Sequence, residues 1–317
     1  MLKQFLTHSF KTSIGGQALM EGILMRGPSR QAIVCRGTGD LIEKVEDLKY
    51  TKEKYPILGI PFIRGIFIFI SSLVNGMNAL MYSAEVLPED QQEDPDAVDR
   101  WIEAHFSEEK AKKLIIGVAV VLGIALSLLL FVFLPAFICG FIKPIRENYI
   151  VRNLSEGLVR VIILLVYMKL CTYEKDVKKL FAYHGAEHKT IFCYEHGKDL
   201  TVENVRPESR FHPRCGTSFL LVVIFVSILV NSVVRTPNTL ARIGWHLLLL
   251  PLVVGISYEI NRWCGLHDNR LSAFLSAPGK WLQRITTEEP EDGMIECAIR
   301  AMELVIPEEK GSDRYGE

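Results

Sequence analysis

Long apolar runs separated by polar segments dominate this chain and predict a mainly α-helical, polytopic membrane protein. The longest run, from Leu114 to Ile142, contains no charged side chain. It exceeds the roughly 20 residues that a helix needs to cross a bilayer. Two further runs, Gly216 to Val234 and Ile243 to Tyr258, are joined by a short polar link. They predict a transmembrane hairpin.

Two more apolar stretches contain polar residues. The stretch from Leu154 to Met168 is interrupted by Glu156 and Arg160, which lie at helical spacing and could pair with each other. We assign it as a fourth transmembrane helix. The stretch from Ile57 to Met81 includes proline, arginine and asparagine. It fits a spanning, a re-entrant or an interfacial helix, because polar groups at membrane depth need partners.

The distribution of basic residues predicts how the protein lies in the membrane. The segment from Lys169 to Arg214 carries Lys or Arg at positions 169, 175, 178, 179, 189, 198, 206, 210 and 214. The positive-inside rule places such a segment in the cytoplasm. Both terminal segments also carry basic residues. We therefore expect a multi-pass protein of the cell membrane, with the lipid bilayer and other membrane proteins as partners and most polar segments cytoplasmic.

The same pattern divides the chain into seven segments. They are a cytoplasmic β element (1–56), the ambiguous apolar stretch (57–82), an acidic cytoplasmic linker (83–113), a transmembrane hairpin (114–170), a cytoplasmic segment rich in His, Glu and Cys (171–215), a second hairpin (216–260) and a cytoplasmic C-terminal segment with an amphipathic helix (261–317).

The N-terminal segment has the alternation and turn residues of a small antiparallel sheet. Strands are predicted at Ala18 to Met25, Gln31 to Arg36 and Leu41 to Asp47, with glycine and proline between them. The simplest arrangement is a three-stranded meander.

Composition excludes some classes of protein. The 36 Lys and Arg residues nearly balance the 37 Asp and Glu residues, whereas nucleic-acid-binding proteins usually carry a clear basic excess. We expect no nucleic-acid partner. The seven cysteines, an odd number, argue against a disulfide framework.

The strongest chemical signal is the H-x-x-E-H pattern formed by His184, Glu187 and His188. On a helix, the two histidines lie one turn apart on one face, where two imidazole nitrogens can share a divalent ion. Inverted zincins use this spacing for two metal ligands and a general base. The pattern predicts a metal site, with zinc as the expected ion and Glu187 as the candidate base.

Further ligands follow close behind in the sequence. His212 and Cys215 form an H-x-x-C pair, and Glu195 offers an oxygen ligand. A site that uses both histidines together with His212 and Cys215 would be closed and structural. A site with one ligand beyond His184 and His188 would leave a position open for water. Cys215 could instead be a small core residue.

A second motif, Gly15-Gly16-Gln17, lies at the start of the sheet. Adjacent glycines followed by Gln17, Glu21 and Arg26 suggest backbone held so as to present these side chains. Ordinary turn chemistry explains the glycines equally well.

Several long motifs resemble those of the YqhQ-like bacterial membrane proteins, a family of unknown function. They are GGQALMEGILMRGP at 15–28, YHGAEHKTIFCYE at 183–195, HPRCGTSF at 212–219, SYEINR at 257–262 and PGKWLQRITTEEP at 278–290. The resemblance spans nearly the whole chain. It implies a predicted metal-dependent enzyme, with the residues at His184, Glu187 and His188 as the basis of that description.

Two functions remain open at this stage. The first is a metal-dependent hydrolase at the cytoplasmic membrane face, in which Glu187 activates a water. The second is a non-enzymatic factor for membrane assembly, insertion or transport, in which the His/Cys cluster is structural.

Overall fold

The computed structural model describes residues 10–37, 40–48, 56–87, 100, 105, 108–309 and 311–315, and it is mainly helical with one small antiparallel sheet. The strands are β1 (Gly15–Leu19), β2 (Gly22–Arg26), β3 (Arg30–Arg36) and β4 (Leu41–Asp47). The helices are α1 (Ile63–Glu85), α2 (Glu108–Leu128), α3 (Leu134–Phe141), α4 (Lys143–Glu147), α5 (Tyr149–Cys171), α6 (Lys175–Glu195), α7 (Val202–Val205), α8 (Gly216–Asn231), α9 (Thr239–Leu266), α10 (Arg270–Thr286) and α11 (Asp292–Glu303).

These elements form two compact units. The first comprises Met1–Pro88, Val166–Val226 and Pro251–Glu317, and the second comprises Glu89–Leu165 and Ser227–Leu250. Much of the acidic linker predicted at 83–113 lies outside the described residues. All seven cysteines are free thiols.

The sheet has four strands in the order β1-β2-β3-β4, not the predicted three. The predicted strand from Ala18 to Met25 is wrong, because the chain turns at Met20 and Glu21 and pairs Leu19 with Gly22. Glu21 adopts a φ of 47° in this turn. The turn escapes sequence reasoning because it lacks the Asn-Gly or Asp-Gly pair typical of such hairpins.

The core of the first unit lies between the sheet and two helices. Ile23 and Met25 of β2 and Ala32 and Val34 of β3 pack into one buried cluster with residues of α6 and α11. The middle of α6 is buried almost throughout, although it carries His, Glu and Lys side chains. Buried polar groups need partners, so this helix must find them inside the protein.

A close approach between α6 and the segment after α10 depends on Gly185. A Cβ at this position would overlap the carbonyl oxygen of Glu288. The Glu288 N–H donates to the carbonyl of Phe181 at 2.9 Å. The glycine thus allows main chain to pack directly on α6.

The second unit contains Leu114–Phe141, the most apolar of the long helical segments within the described residues. A π-helical turn, Leu129–Phe133, joins α2 to α3 immediately before Pro135. Proline lacks the N–H that the carbonyl of the residue four positions earlier would accept. The freed carbonyl is that of Phe131, and it accepts a hydrogen bond from Arg160 Nε at 3.0 Å.

Three helical segments are long and apolar enough to cross a membrane within the described residues. They are Ile63–Glu85, Leu114–Phe141 and Thr239–Leu266, and Gly216–Asn231 is apolar but shorter. The ambiguous stretch 57–82 therefore forms one continuous helix for most of its length, without the break of a re-entrant pair.

The close packing at Gly185 generates a prediction about stability. We expect Gly185→Ala to lower the free energy of unfolding by about 1–3 kcal/mol, because the added methyl group overpacks the contact with Glu288. The measurement is thermal unfolding of the purified protein. Gly123→Ala, in a helical position with open space around it, is the matched control and should leave stability unchanged or slightly raised. Equal stability of the two variants would contradict the prediction.

Candidate metal centre

Three of the predicted ligands converge at one point in the first unit. α6 places the rings of His184 and His188 with their centroids 4.3 Å apart. Cys215, just before α8, reaches the same point. One ligand atom from each of these three residues lies within 4.8 Å of the other two. We call these residues the His/His/Cys group.

Each histidine of the group is oriented by a backbone carbonyl. His184 Nδ1 lies 2.8 Å from the carbonyl oxygen of Thr286, and His188 Nδ1 lies 2.5 Å from that of Arg210. A carbonyl can only accept, so Nδ1 carries the proton in both rings. Nε2 then keeps its lone pair. Metal-binding histidines are typically oriented in this way, with the second ring nitrogen donating to an oxygen.

The lone pairs point into the group. His184 Nε2 lies 3.1 Å from Cys215 Sγ. His188 Nε2 is buried near Cys215 and forms no hydrogen bond of normal geometry within the described residues. An orphaned buried nitrogen is costly, and a bound cation would satisfy it.

Burial sets the protonation of the group. Desolvation lowers the pKa of His188 to about 4, so its ring is neutral at pH 7. Burial alone would raise the pKa of the Cys215 thiol, but its interactions with His188 and Thr217 outweigh burial and lower it. The forms that bind metal are a neutral imidazole and a thiolate. Because His188 lowers the thiol pKa through its own positive charge, the two forms coexist when a metal ion supplies that charge in place of the proton.

Glu187 lies beside the group and is held by the start of the sheet. Its Oε1 accepts a hydrogen bond from the Gly16 N–H at 3.0 Å. A Cβ at Gly16 would lie 2.6 Å from the carbonyl oxygen of Leu24 and 3.0 Å from Glu187 Cδ, so only glycine allows this approach. Burial raises the pKa of Glu187 to about 7, a value suited to proton transfer near neutral pH.

The structure leaves Glu195 and His212 out of the His/His/Cys group. Glu195 accepts a hydrogen bond from the Thr12 N–H at 2.8 Å and forms a buried ion pair with Arg214. Burial alone would raise its pKa, but the neighbouring His212 side chain and the charge of Arg214 lower it to about 2. The Glu195 carboxylate is therefore paired with Arg214 and is not a ligand of the His/His/Cys group.

His212 is positioned by Gln283 and faces Glu195. Its backbone N–H and carbonyl bond the side-chain amide of Gln283, both at 2.8 Å. Its Nε2 lies 3.8 Å from Glu195, and its ring centroid lies 5.5 Å from that of His188. The closed four-ligand arrangement that the sequence allowed is not formed here.

The residues of the glycine motif support the helices around the site. Gln17 Nε2 donates to the carbonyl of Gly76 in α1 at 3.4 Å. The Glu21 carboxylate accepts from Lys179 Nζ at 2.7 Å and from the Tyr183 hydroxyl at 3.1 Å, in α6 just before His184. Arg26 ends β2 with an exposed side chain.

Several residues that build the site are missed by sequence reasoning. Thr286 and Arg210 contribute only their backbone carbonyls. Such roles leave no signal in the identity of the side chain. The sequence does carry a signal for Arg214, because this basic residue lies between His212 and Cys215 in the H-x-x-C pair.

The donor set of two nitrogens and one sulfur suits zinc. Zinc binds Cys and His in tetrahedral sites, and three protein ligands with one open position are typical of catalytic zinc. The His/His/Cys group supplies three donors, and Glu187 stands next to it.

Comparisons with known proteins agree with the resemblance in the motifs. Residues 60–308 match the model of a family described as a protein of unknown function (DUF1385). The chain is also 33% identical over 303 residues to the uncharacterized protein YqhQ of Bacillus subtilis (strain 168), covering 94% of each chain. No solved structure matches significantly. The chain therefore belongs to this YqhQ-like family of unknown function.

Proposed function

We propose that this protein is an integral membrane hydrolase that uses a zinc ion held by His184, His188 and Cys215. The observation that carries the proposal is the pair of Nδ1 hydrogen bonds to the carbonyls of Thr286 and Arg210. They aim both Nε2 lone pairs at the space next to the Cys215 sulfur.

The membrane part of the proposal is supported by α5, whose polar and apolar faces are reversed relative to those of a helix in a water-soluble protein. Its exposed face is apolar, with Ile150 56% exposed and Leu158 61% exposed, while its buried face is charged. The buried polar and charged residues of this helix are Arg152, Asn153, Glu156 and Arg160. This pattern is unfavourable in water and favourable in lipid, where polar groups turn toward the protein interior.

We infer four spans, formed by Leu114–Phe141, α5, α8 and α9, with α1 along the cytoplasmic surface. α1 packs its C-terminal half on the sheet, where Ala79 and Ser83 are buried and Ser83 Oγ accepts from the Met20 N–H at 3.2 Å. The sheet thus contacts one face of the C-terminal half of α1, which favours a position at the membrane surface for this half. The basic segment 169–214, which carries His184 and His188 and immediately precedes Cys215, then lies in the cytoplasm.

The chemistry follows from the geometry around the ion. A divalent ion in this position would polarise the substrate and lower the pKa of a bound water. Glu187 would accept the proton of that water and is held in place by Gly16. Substrate would approach from the cytoplasmic membrane face.

A second role is favoured by the burial of the site. His188 is 1% exposed and Glu187 is 6% exposed, which is typical of a structural metal that clasps α6 to the turn before α8. Such a clasp would suit a membrane assembly, insertion or transport factor without enzymatic activity. The two roles differ in what Glu187 does, and this difference can be tested.

Metal content tests the ligand set. We expect the wild-type protein, purified without chelator, to contain about one zinc per chain. His184→Ala, His188→Ala and Cys215→Ala should each lose most of it, because removal of one of three ligands opens the site. His267→Ala and Cys264→Ser replace residues of the same types outside the group and should keep the metal. Folded wild-type protein without metal would rule out the proposal.

Glu187→Gln separates catalysis from structure. The amide keeps the size of the side chain and can still accept from Gly16, but it cannot act as a base. We expect normal protein level and zinc content, with activity reduced by roughly 10²–10⁴-fold. Because the substrate is unidentified, activity is read in cells from which the protein has been removed. We measure whether producing the variant returns the compounds that accumulate in those cells to their normal levels. Glu203→Gln, at an exposed position, is the control. Full reversal by Glu187→Gln would favour the structural role.

A further inference from the structure

The second unit contains a buried cluster of charged residues, which we call the arginine cluster. Arg152, Glu156 and Arg160 of α5 meet Arg242 and His246 of α9, and none of the five is more than 6% exposed. Buried ionisable groups among apolar helices are rare and are usually functional.

The pairing within the cluster differs from the sequence prediction. Glu156 accepts hydrogen bonds from Arg152 Nε at 3.0 Å and from Arg242 Nε at 2.7 and 2.9 Å. The predicted pair of Glu156 and Arg160 is not formed. Arg160 instead donates to the Phe131 carbonyl, to Ser227 Oγ at 2.7 Å and to His246 Nδ1 at 2.9 Å.

The cluster carries more positive than negative charge. Guanidinium groups stay protonated in proteins, so three positive charges face the single carboxylate of Glu156. The other partners of the arginines are neutral, namely the carbonyls of Ala136, Val234 and Pro237 and the side chains of Asn153 and Thr239. Two buried positive charges are therefore balanced only by dipoles.

A donor that forms no well-aligned hydrogen bond lies in the same place. Arg160 can only donate, so His246 Nδ1 accepts and Nε2 carries the ring proton. His246 Nε2 is buried without a hydrogen-bond partner within the described residues. It lies 3.5 Å from Glu156 Oε2. A buried N–H whose nearest acceptor is this distant is poorly satisfied, which is unfavourable.

We propose that the arginine cluster binds an oxyanion of the phosphate class, with Arg160 and His246 as its principal donors. An oxyanion supplies the missing negative charge and a closer acceptor for His246 Nε2 than Glu156 offers. The planar fork of a guanidinium matches the geometry of phosphate oxygens. The phosphate can belong to a free ion or to the headgroup of a lipid.

Phosphate-dependent stability of the full-length protein in neutral detergent tests this site. In gluconate buffer of constant ionic strength, inorganic phosphate should raise the unfolding midpoint of the wild type by roughly 5 °C at saturation. In a second arm, micelles are doped with phosphatidic acid or with phosphatidylcholine. A shift with inorganic phosphate identifies a free oxyanion site, and a shift with phosphatidic acid alone identifies a lipid phosphate. No shift in either arm overturns the proposal.

Two variants distinguish a binding site from a purely structural network. Arg160→Gln should abolish the shift. Glu156→Gln removes the competing carboxylate, so it should unfold at a lower temperature in gluconate but gain more from phosphate than the wild type does. A structural ion pair predicts the loss of stability without that larger gain. Arg146→Gln, at an exposed position in α4, should respond like the wild type. If Glu156→Gln does not accumulate, the wild type and Arg160→Gln decide the question.

Discussion

The Nδ1 groups of His184 and His188 each donate to a backbone carbonyl, and much of the first unit is arranged to supply those two acceptors. One carbonyl belongs to Thr286, which is far from α6 in sequence. The other belongs to Arg210, in the segment between α7 and α8. Gly185 lets the segment after α10 pack on α6, and the Glu288 N–H fixes it there. The same helix is held from the other end of the chain, where Gly16 bonds Glu187. The glycines at positions 16 and 185 thus allow the close backbone contacts that set the geometry of the ligands.

The protein buries polar groups at two sites with opposite chemistry. The His/His/Cys group presents lone pairs and suits a cation. The arginine cluster presents N–H donors with excess positive charge and suits an anion. Each site has one buried histidine nitrogen that forms no hydrogen bond of normal geometry within the described part of the chain, Nε2 of His188 and Nε2 of His246. Because unpaired buried groups are costly, both sites are suited to bind something.

The sequence predicts the features that follow from residue spacing along the chain. It does not predict those that depend on contacts between distant segments. Helical spacing predicted that His184 and His188 share a face, and the H-x-x-C pair pointed to Cys215. The spacing of these residues could not show that Gln283 and Glu195 hold His212 away from the His/His/Cys group. Similarly, the spacing of Glu156 and Arg160 suggested a pair, but α9 supplies Arg242, which takes the carboxylate. Competing partners from distant segments decide such cases.

X-ray absorption spectroscopy at the zinc edge of the purified full-length protein tests the central claim most directly, because it reports the identity and number of the ligands. The account predicts one sulfur at about 2.3 Å, two imidazole nitrogens at about 2.0–2.1 Å and one oxygen at about 2.0–2.2 Å from water. A shell without sulfur would contradict the account. So would a shell with three imidazoles and one sulfur, which is the closed site that includes His212.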